Sequence, residues 1–223
     1  PAPLRTCPFE ILEKNADSEP ILKFENERGW TLQILQNKFP AFIHEDVCSK
    51  IINFGPYAVT TGNGHHDLVI TRSHNQDFPD LSAEMALQVF KSFQERYLML
   101  SRDPCLAYTA IFHNWGERAG ASVFHPHYQI ISIPVVPPDI EHSLSGSKRY
   151  FDKHMVCVHC IMIKWEKEQN KRIIFENDEA IAFTPFVSRS SFEIRVFPKK
   201  HLPFFENANE VSLGAVTLAL KRS

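Results

Sequence analysis

With 223 residues and a formal net charge of −2, the chain is long enough for one large domain or two small ones around a real core. It carries no basic field for nucleic acid or an anionic surface, no apolar run near the ~20 residues of a membrane span, and no secretory pattern at its start. The expectation is a cytoplasmic protein with neither nucleic-acid nor membrane partners. The 18 Phe suit an aromatic-filled β core, and the 5 Cys are odd in number and spaced more like metal ligands than a disulfide framework.

Cys7, taken alone, reads as a small buried hydrophobe. Trp30 to Ile34 alternate cleanly and predict a strand; Asn37, shortly before Pro40, reads as a turn residue. Residues 64–70 predict a second strand, followed by a loop bearing His74, while His65 and His66 receive no chemistry. From 82 to 102, Ala86, Phe90, Phe93, Tyr97 and Leu100 recur at alternating spacings of four and three. That predicts an amphipathic helix capped by Asp80 or Ser82 and stopped at Asp103-Pro104.

A strand over 107–112 leads into a turn at 114–122 whose Gly116 and Gly120 let backbone N–H groups, with the Ser122 hydroxyl, approach a phosphate. Residues 124–131 read as the next strand. Alternation then puts His125, His127 and Gln129 on one face and Phe124, Pro126, Tyr128 and Ile130 in the core. A phosphate cradle feeding a histidine pair is a candidate site. Pro134, Pro137 and Pro138 end the sheet, and 140–150 reads as a polar linker.

Beyond it the pattern begins again. Cys157 and Cys160 mirror Cys7 and Glu10; strands follow at 172–175 and 180–183, separated by Asn177-Asp178. Residues 192–201 mirror the strand ending at His74, and a helix capped near Asn207 or Asn209 closes the chain. This is an internal repeat. Each half predicts an antiparallel sheet with packed helices, an α+β arrangement.

The run Asn114, Gly116, Ala119-Gly120-Ala121-Ser122, His125-Pro126-His127 and Gln129 resembles the active-site signature of the galactose-1-phosphate uridylyltransferase family. This is the nucleotidyltransferase branch of the histidine-triad superfamily. The resemblance implies duplicated histidine-triad-like domains: a first over 1–140, a linker over 141–152 and a second over 153–223. The second repeat is incomplete, lacking any counterpart of 107–131, so a fragment of a longer chain is expected.

The resemblance also implies roles. His127 is the nucleophile that becomes a nucleotidyl-histidine, and Gln129 stands where hydrolases of the superfamily carry a third histidine. A carboxamide donates a hydrogen bond to a phosphoryl oxygen but is no general acid, which favours transfer over hydrolysis. Asn114, Gly120 and Ser122 bind phosphate, and Asn37 contacts the nucleoside. Cys7, Glu10, His74 and His125 form a structural zinc site, with Glu10 where the family usually has a second cysteine; Cys157, Cys160 and His201 begin another. The implied activity is nucleotidyl transfer between a nucleotide sugar and a sugar 1-phosphate, by a homodimer. One alternative is a phosphorylase of the same group acting on nucleotide sugars or dinucleoside polyphosphates. The alternative from a different class is a non-catalytic, zinc-stabilised nucleotide-binding module.

Overall fold

The computed structural model describes residues 7–10 and 19–223. The expected absence of a secretory pattern falls on the start of the chain, most of which, residues 1–6 and 11–18, lies outside them. The architecture is α+β, with antiparallel sheets and, among the described residues, four helices. The chain divides into two compact units, Pro1–Asp80 with Lys91–Val136, and Leu81–Phe90 with Pro137–Ser223.

The first unit holds strands β1 (Leu22–Asn26), β2 (Gly29–Gln36), β5 (His65–Thr71), β6 (Tyr108–His113) and β7 (His127–Ile133), with a small exposed hairpin of β3 (Ile52–Phe54) and β4 (Tyr57–Val59). The five long strands make one sheet in the order β1-β2-β5-β7-β6. β5 is buried along nearly its whole length, which requires cover on both faces. The register pairs Leu68 with Gln129 and Ile70 with His127, so His66, Leu68, Ile70, His127 and Gln129 share one face. Cys7 and Phe9 cover it, packed on Leu68 and Ile70.

The opposite face receives the second half of helix α1 (Ala83–Leu100). Phe93 meets Tyr128 with ring centroids 5.3 Å apart, and Arg96 Nε donates to Asp67 Oδ2 at 2.8 Å in a buried pair. Ser82 caps the helix, its Oγ accepting the Met85 N–H at 3.1 Å.

The structure differs from three local expectations. The strand expected from 124 begins at His127, because Pro126 has no N–H to give a ladder; Phe124 is 39 % exposed and not in the core. The stretch expected as a linker, 141–152, lies inside helix α2 (Pro138–His154), which has Pro at its first turn and Asp139 and Glu141 beside it. Cys48 and Cys105 form a disulfide, a pairing that the odd cysteine count did not suggest.

The second unit carries α2, α3 (Val158–Gln169), a three-stranded sheet ordered β10-β9-β8 and α4 (Glu210–Arg222). Its strands are β8 (Ile173–Glu176), β9 (Ala180–Phe183) and β10 (Arg195–Pro198). β9 is fully buried, and Ile181 and Phe183 form a core with Ile163 of α3. Asn177 sets the β8–β9 turn, its Oδ1 accepting the N–H groups of Glu179 and Ala180. Asn209 caps α4, its Oδ1 accepting the Ser212 N–H.

Candidate active site and metal centres

β7 begins with His127, which is 8 % exposed, and His125 just before it is fully buried. His127 Nδ1 lies 3.0 Å from the His125 carbonyl oxygen. A carbonyl only accepts, so Nδ1 carries a proton, and in the neutral ring the lone pair is on Nε2. Phe9 packs edge-on against both rings at 5.5 Å. An imidazole held in one orientation at the start of a strand is placed to act as a nucleophile through Nε2.

Gln129 follows two residues on, on the same face. Its Oε1 is 2.9 Å from His66 Nε2, while His66 Nδ1 accepts the Ala41 N–H at 3.0 Å. The tautomer follows: His66 donates from Nε2, Gln129 Oε1 accepts, and the Gln129 NH2 remains as a donor. Asn37 lies against the same ring, its Nδ2 3.4 Å from His66 Nδ1, the nitrogen that accepts in this tautomer. Its Oδ1 accepts the Phe39 N–H. Asn37 is therefore tied to the site through His66, and its Oδ1 also holds the turn expected of it.

Asn114, Gly120 and Ser122 all sit on the loop between β6 and β7. The loop is a tight turn: Gly116 and Gly120 have φ of 79° and 80°, the left-handed range that side chains disfavour. The Ala119 and Ala121 N–H groups both return to the Gly116 carbonyl. Gly120 and Ser122 are exposed and Asn114 is half-buried.

Behind the nucleophile, Cys7, His74 and His125 bring their ligand atoms within 4.8 Å of one another. Cys7 Sγ is 3.6 Å from His125 Nδ1. Glu10 Oε1 lies 3.5 Å from Nδ1 of both His74 and His125. His125 Nε2 donates to the Thr71 carbonyl at 2.8 Å, which turns Nδ1 toward the cluster as a ligating imidazole needs. Burial, stated first among its causes, holds the His125 pKa below 6.5, favouring the neutral ring that a metal requires. One thiol, two imidazoles and a carboxylate suit zinc.

In the second unit, Cys157, Cys160 and His201 also converge within 4.8 Å, with Cys160 Sγ 3.3 Å from His201 Nδ1. Cys157 stands at the N-cap of α3 and Cys160 in its first turn. Burial and the neighbouring Cys157 push the Cys160 thiol up. His159 points elsewhere, stacked on Phe197 with its Nε2 near Ser147 Oγ; His154 packs on Tyr150.

His66 escaped the sequence reading. Its link to Gln129 depends on strand register, of which the adjacent pair His65-His66 gave no sign.

A mixed α+β fold in which strand β7 begins at a buried histidine, with a second just ahead of it and a cysteine-histidine cluster behind them, defines the class of protein. Comparison with known proteins narrows it. A family profile described as galactose-1-phosphate uridyl transferase, N-terminal domain, matches residues 22–137. The chain is 27 % identical over 209 residues to an ADP-glucose phosphorylase of Arabidopsis thaliana, covering 92 % of this chain and 58 % of that one. It is 26 % identical over 174 residues to a galactose-1-phosphate uridylyltransferase of Thermotoga maritima, covering 78 % and 54 %. A solved uridylyltransferase structure superposes with a TM-score of 0.79 at 29 % identity, over 88 % of this chain and 63 % of that one. The chain belongs to the galactose-1-phosphate uridyl transferase family. It spans little more than half the length of these curated relatives.

Proposed function

We propose that this chain is the nucleophile-bearing part of a zinc-containing nucleotidyltransferase. It moves a nucleoside monophosphate between a nucleotide sugar and a sugar 1-phosphate through a nucleotidyl-histidine on His127. The observation that carries this reading is the bond from His127 Nδ1 to the His125 carbonyl, which commits Nε2 to attack.

Nε2 attacks the α-phosphorus, and the bond from phosphorus to the oxygen of the departing sugar 1-phosphate breaks. A phosphate leaving group departs as a stable anion (second pKa about 6 for a phosphate monoester) and needs no proton. A carboxamide at 129 therefore suffices where alcohol or amine departure calls for an acid. The Gln129 NH2, aimed by His66, donates to a phosphoryl oxygen, and the loop carrying Asn114, Gly120 and Ser122 supplies further donors. Asn37 contacts the nucleoside. The second half-reaction reverses the first with a new sugar 1-phosphate, restoring His127.

Cys7, Glu10, His74 and His125 would hold the first zinc, and Cys157, Cys160 and His201 a second. When bound, the first is a structural ion that braces the backbone on which His127 is mounted. Residues 1–140 are the first repeat, and 141–152, helical within α2, join it to an incomplete second over 153–223. The proposal also keeps a homodimer in the cytoplasm without nucleic-acid or membrane partners. Among the described residues no helix is long and apolar enough to cross a membrane. In a reducing compartment the Cys48–Cys105 bridge is a redox-responsive bond.

The second reading, a phosphorylase in which phosphate is the acceptor, is favoured by the Arabidopsis relative named an ADP-glucose phosphorylase. Incubation with UDP-glucose and ADP-glucose, each labelled in the α-phosphate, separates the two. Protein labelled from UDP-glucose supports uridylyl transfer, and label from ADP-glucose the phosphorylase. Absence of label from both contradicts each and leaves the binding module.

A further inference from the structure

A second kind of donor cluster lies in the first unit, made of residues that the reaction does not use. His44 Nδ1 is 3.8 Å and His65 Nε2 4.0 Å from the same atom, Asp103 Oδ2. One ligand atom from each of the three residues lies within 4.8 Å of the other two. The imidazoles are nearly parallel, with centroids 4.3 Å apart and planes 22° from each other. Donors around a tetrahedral ion bound at about 2.1 Å sit roughly 3.4 Å apart, so a shift of less than about 1.5 Å closes the set.

The supports of each donor are built into the fold. His65 opens β5. His44 rides on a loop that Asn63 staples: Oδ1 accepts the Glu45 N–H, and Nδ2 donates to the Glu45 and Val47 carbonyls. Asp103 Oδ1 accepts the Cys105 N–H at 2.8 Å, which leaves Oδ2 turned to the histidines. The Cys48–Cys105 disulfide ties the His44 loop to the Asp103 turn, four residues from one donor and two from the other. A bridge at that position fixes both loops before any ion arrives and lowers the ordering cost of binding.

We propose that His44, His65 and Asp103 form a divalent-metal site of the two-histidine, one-carboxylate kind, distinct from the cysteine-containing clusters and suited to zinc. Two imidazoles and one carboxylate select zinc-like ions over magnesium or calcium, which take oxygen donors. Three protein donors leave at least one position open to water. The half-exposed setting of the donors gives an ion direct entry from solvent.

The test is a calorimetric titration with zinc chloride of protein whose cysteine-containing clusters have first been saturated with zinc. The unsubstituted chain takes up one further equivalent. His65→Gln and Asp103→Asn each weaken that binding at least tenfold. His44→Ala, a truncation on an exposed loop that does not unfold the protein, does the same. Magnesium chloride gives no competing heat. The proposal is overturned if the chain binds no further zinc, or if the three variants titrate as the parent does.

Discussion

At the scale of single residues, the site depends on two hydrogen bonds that fix the orientation of its side chains. His127 receives its orientation from the His125 carbonyl, and Gln129 from His66. His127→Ala is expected to reduce nucleotidyl transfer by about 10³-fold or more. Because His127 is buried against Phe9, the same variant also loses stability, in contrast to what a half-exposed strand position would give. Turnover near that of the parent contradicts the covalent route. His66→Ala frees the Gln129 amide to rotate, and kcat should fall by about tenfold to a hundredfold with little change in KM, since misplacement acts on the transition state. Gln129→His restores a proton donor beside the phosphoryl oxygens. The labelled enzyme should then hydrolyse faster without acceptor, and an unchanged lifetime would mean that residue 129 does not govern the fate of the intermediate.

At the scale of elements, β5 and β7 form the spine, and α1 is fastened to one face of it by Arg96 and Asp67. Removing one partner leaves a buried charge uncompensated, so Arg96→Met should cost about 3–5 kcal/mol in urea unfolding. A cost below about 1 kcal/mol shows the pair to be solvated. What was legible in the sequence follows from what periodicity encodes. The three-four spacing of Ala86, Phe90, Phe93, Tyr97 and Leu100 gave α1 to within a few residues. Alternation gave β2, while β5 and β9 were legible as strands without it, and side-chain chemistry narrowed each cap to a pair that includes Ser82 or Asn209. Pairing was not legible. Nothing local says that His66 lies diagonal to Gln129, or that Cys48 lies across from Cys105. α2 was hidden because its exposed, polar sequence, with Gly146 inside it, imitates a linker. The ligand residues that came together, Cys7 with His74 and His125, and Cys157 with Cys160 and His201, were legible only through resemblance to the family, because their contacts span the chain.

At the scale of the whole molecule, burial lowers the pKa of His65, His113 and His125 below 6.5. Each therefore takes up a proton more readily when unfolded. Their effect on stability is nil above about 6.5, and stability is lost as pH falls through that value toward the folded pKa. The urea midpoint should drop between pH 7.5 and pH 5.5 (about one pH unit to either side of 6.5), before the carboxylates titrate. In metal-loaded protein the loss is steeper, since protons compete for His125. A flat profile contradicts the burial argument. Zinc analysis of Cys7→Ser and Cys160→Ser should each show the loss of one cluster's metal and retention of the other's. If Cys7→Ser loses none, Glu10 marks a site that binds no metal, and His125 is held without an ion, by contacts such as its hydrogen bond to Thr71.

The central claim is that His127 Nε2 becomes nucleotidylated. Its most direct test is to quench the chain with nucleotide sugar labelled in the α-phosphate, digest it under conditions that preserve phosphoramidates, and map the label by mass spectrometry. The expected result is one nucleoside monophosphate per chain on the peptide carrying His125 and His127, placed on His127, acid-labile and absent from His127→Ala. Label on another residue, or transfer at full rate with no labelled protein, contradicts it.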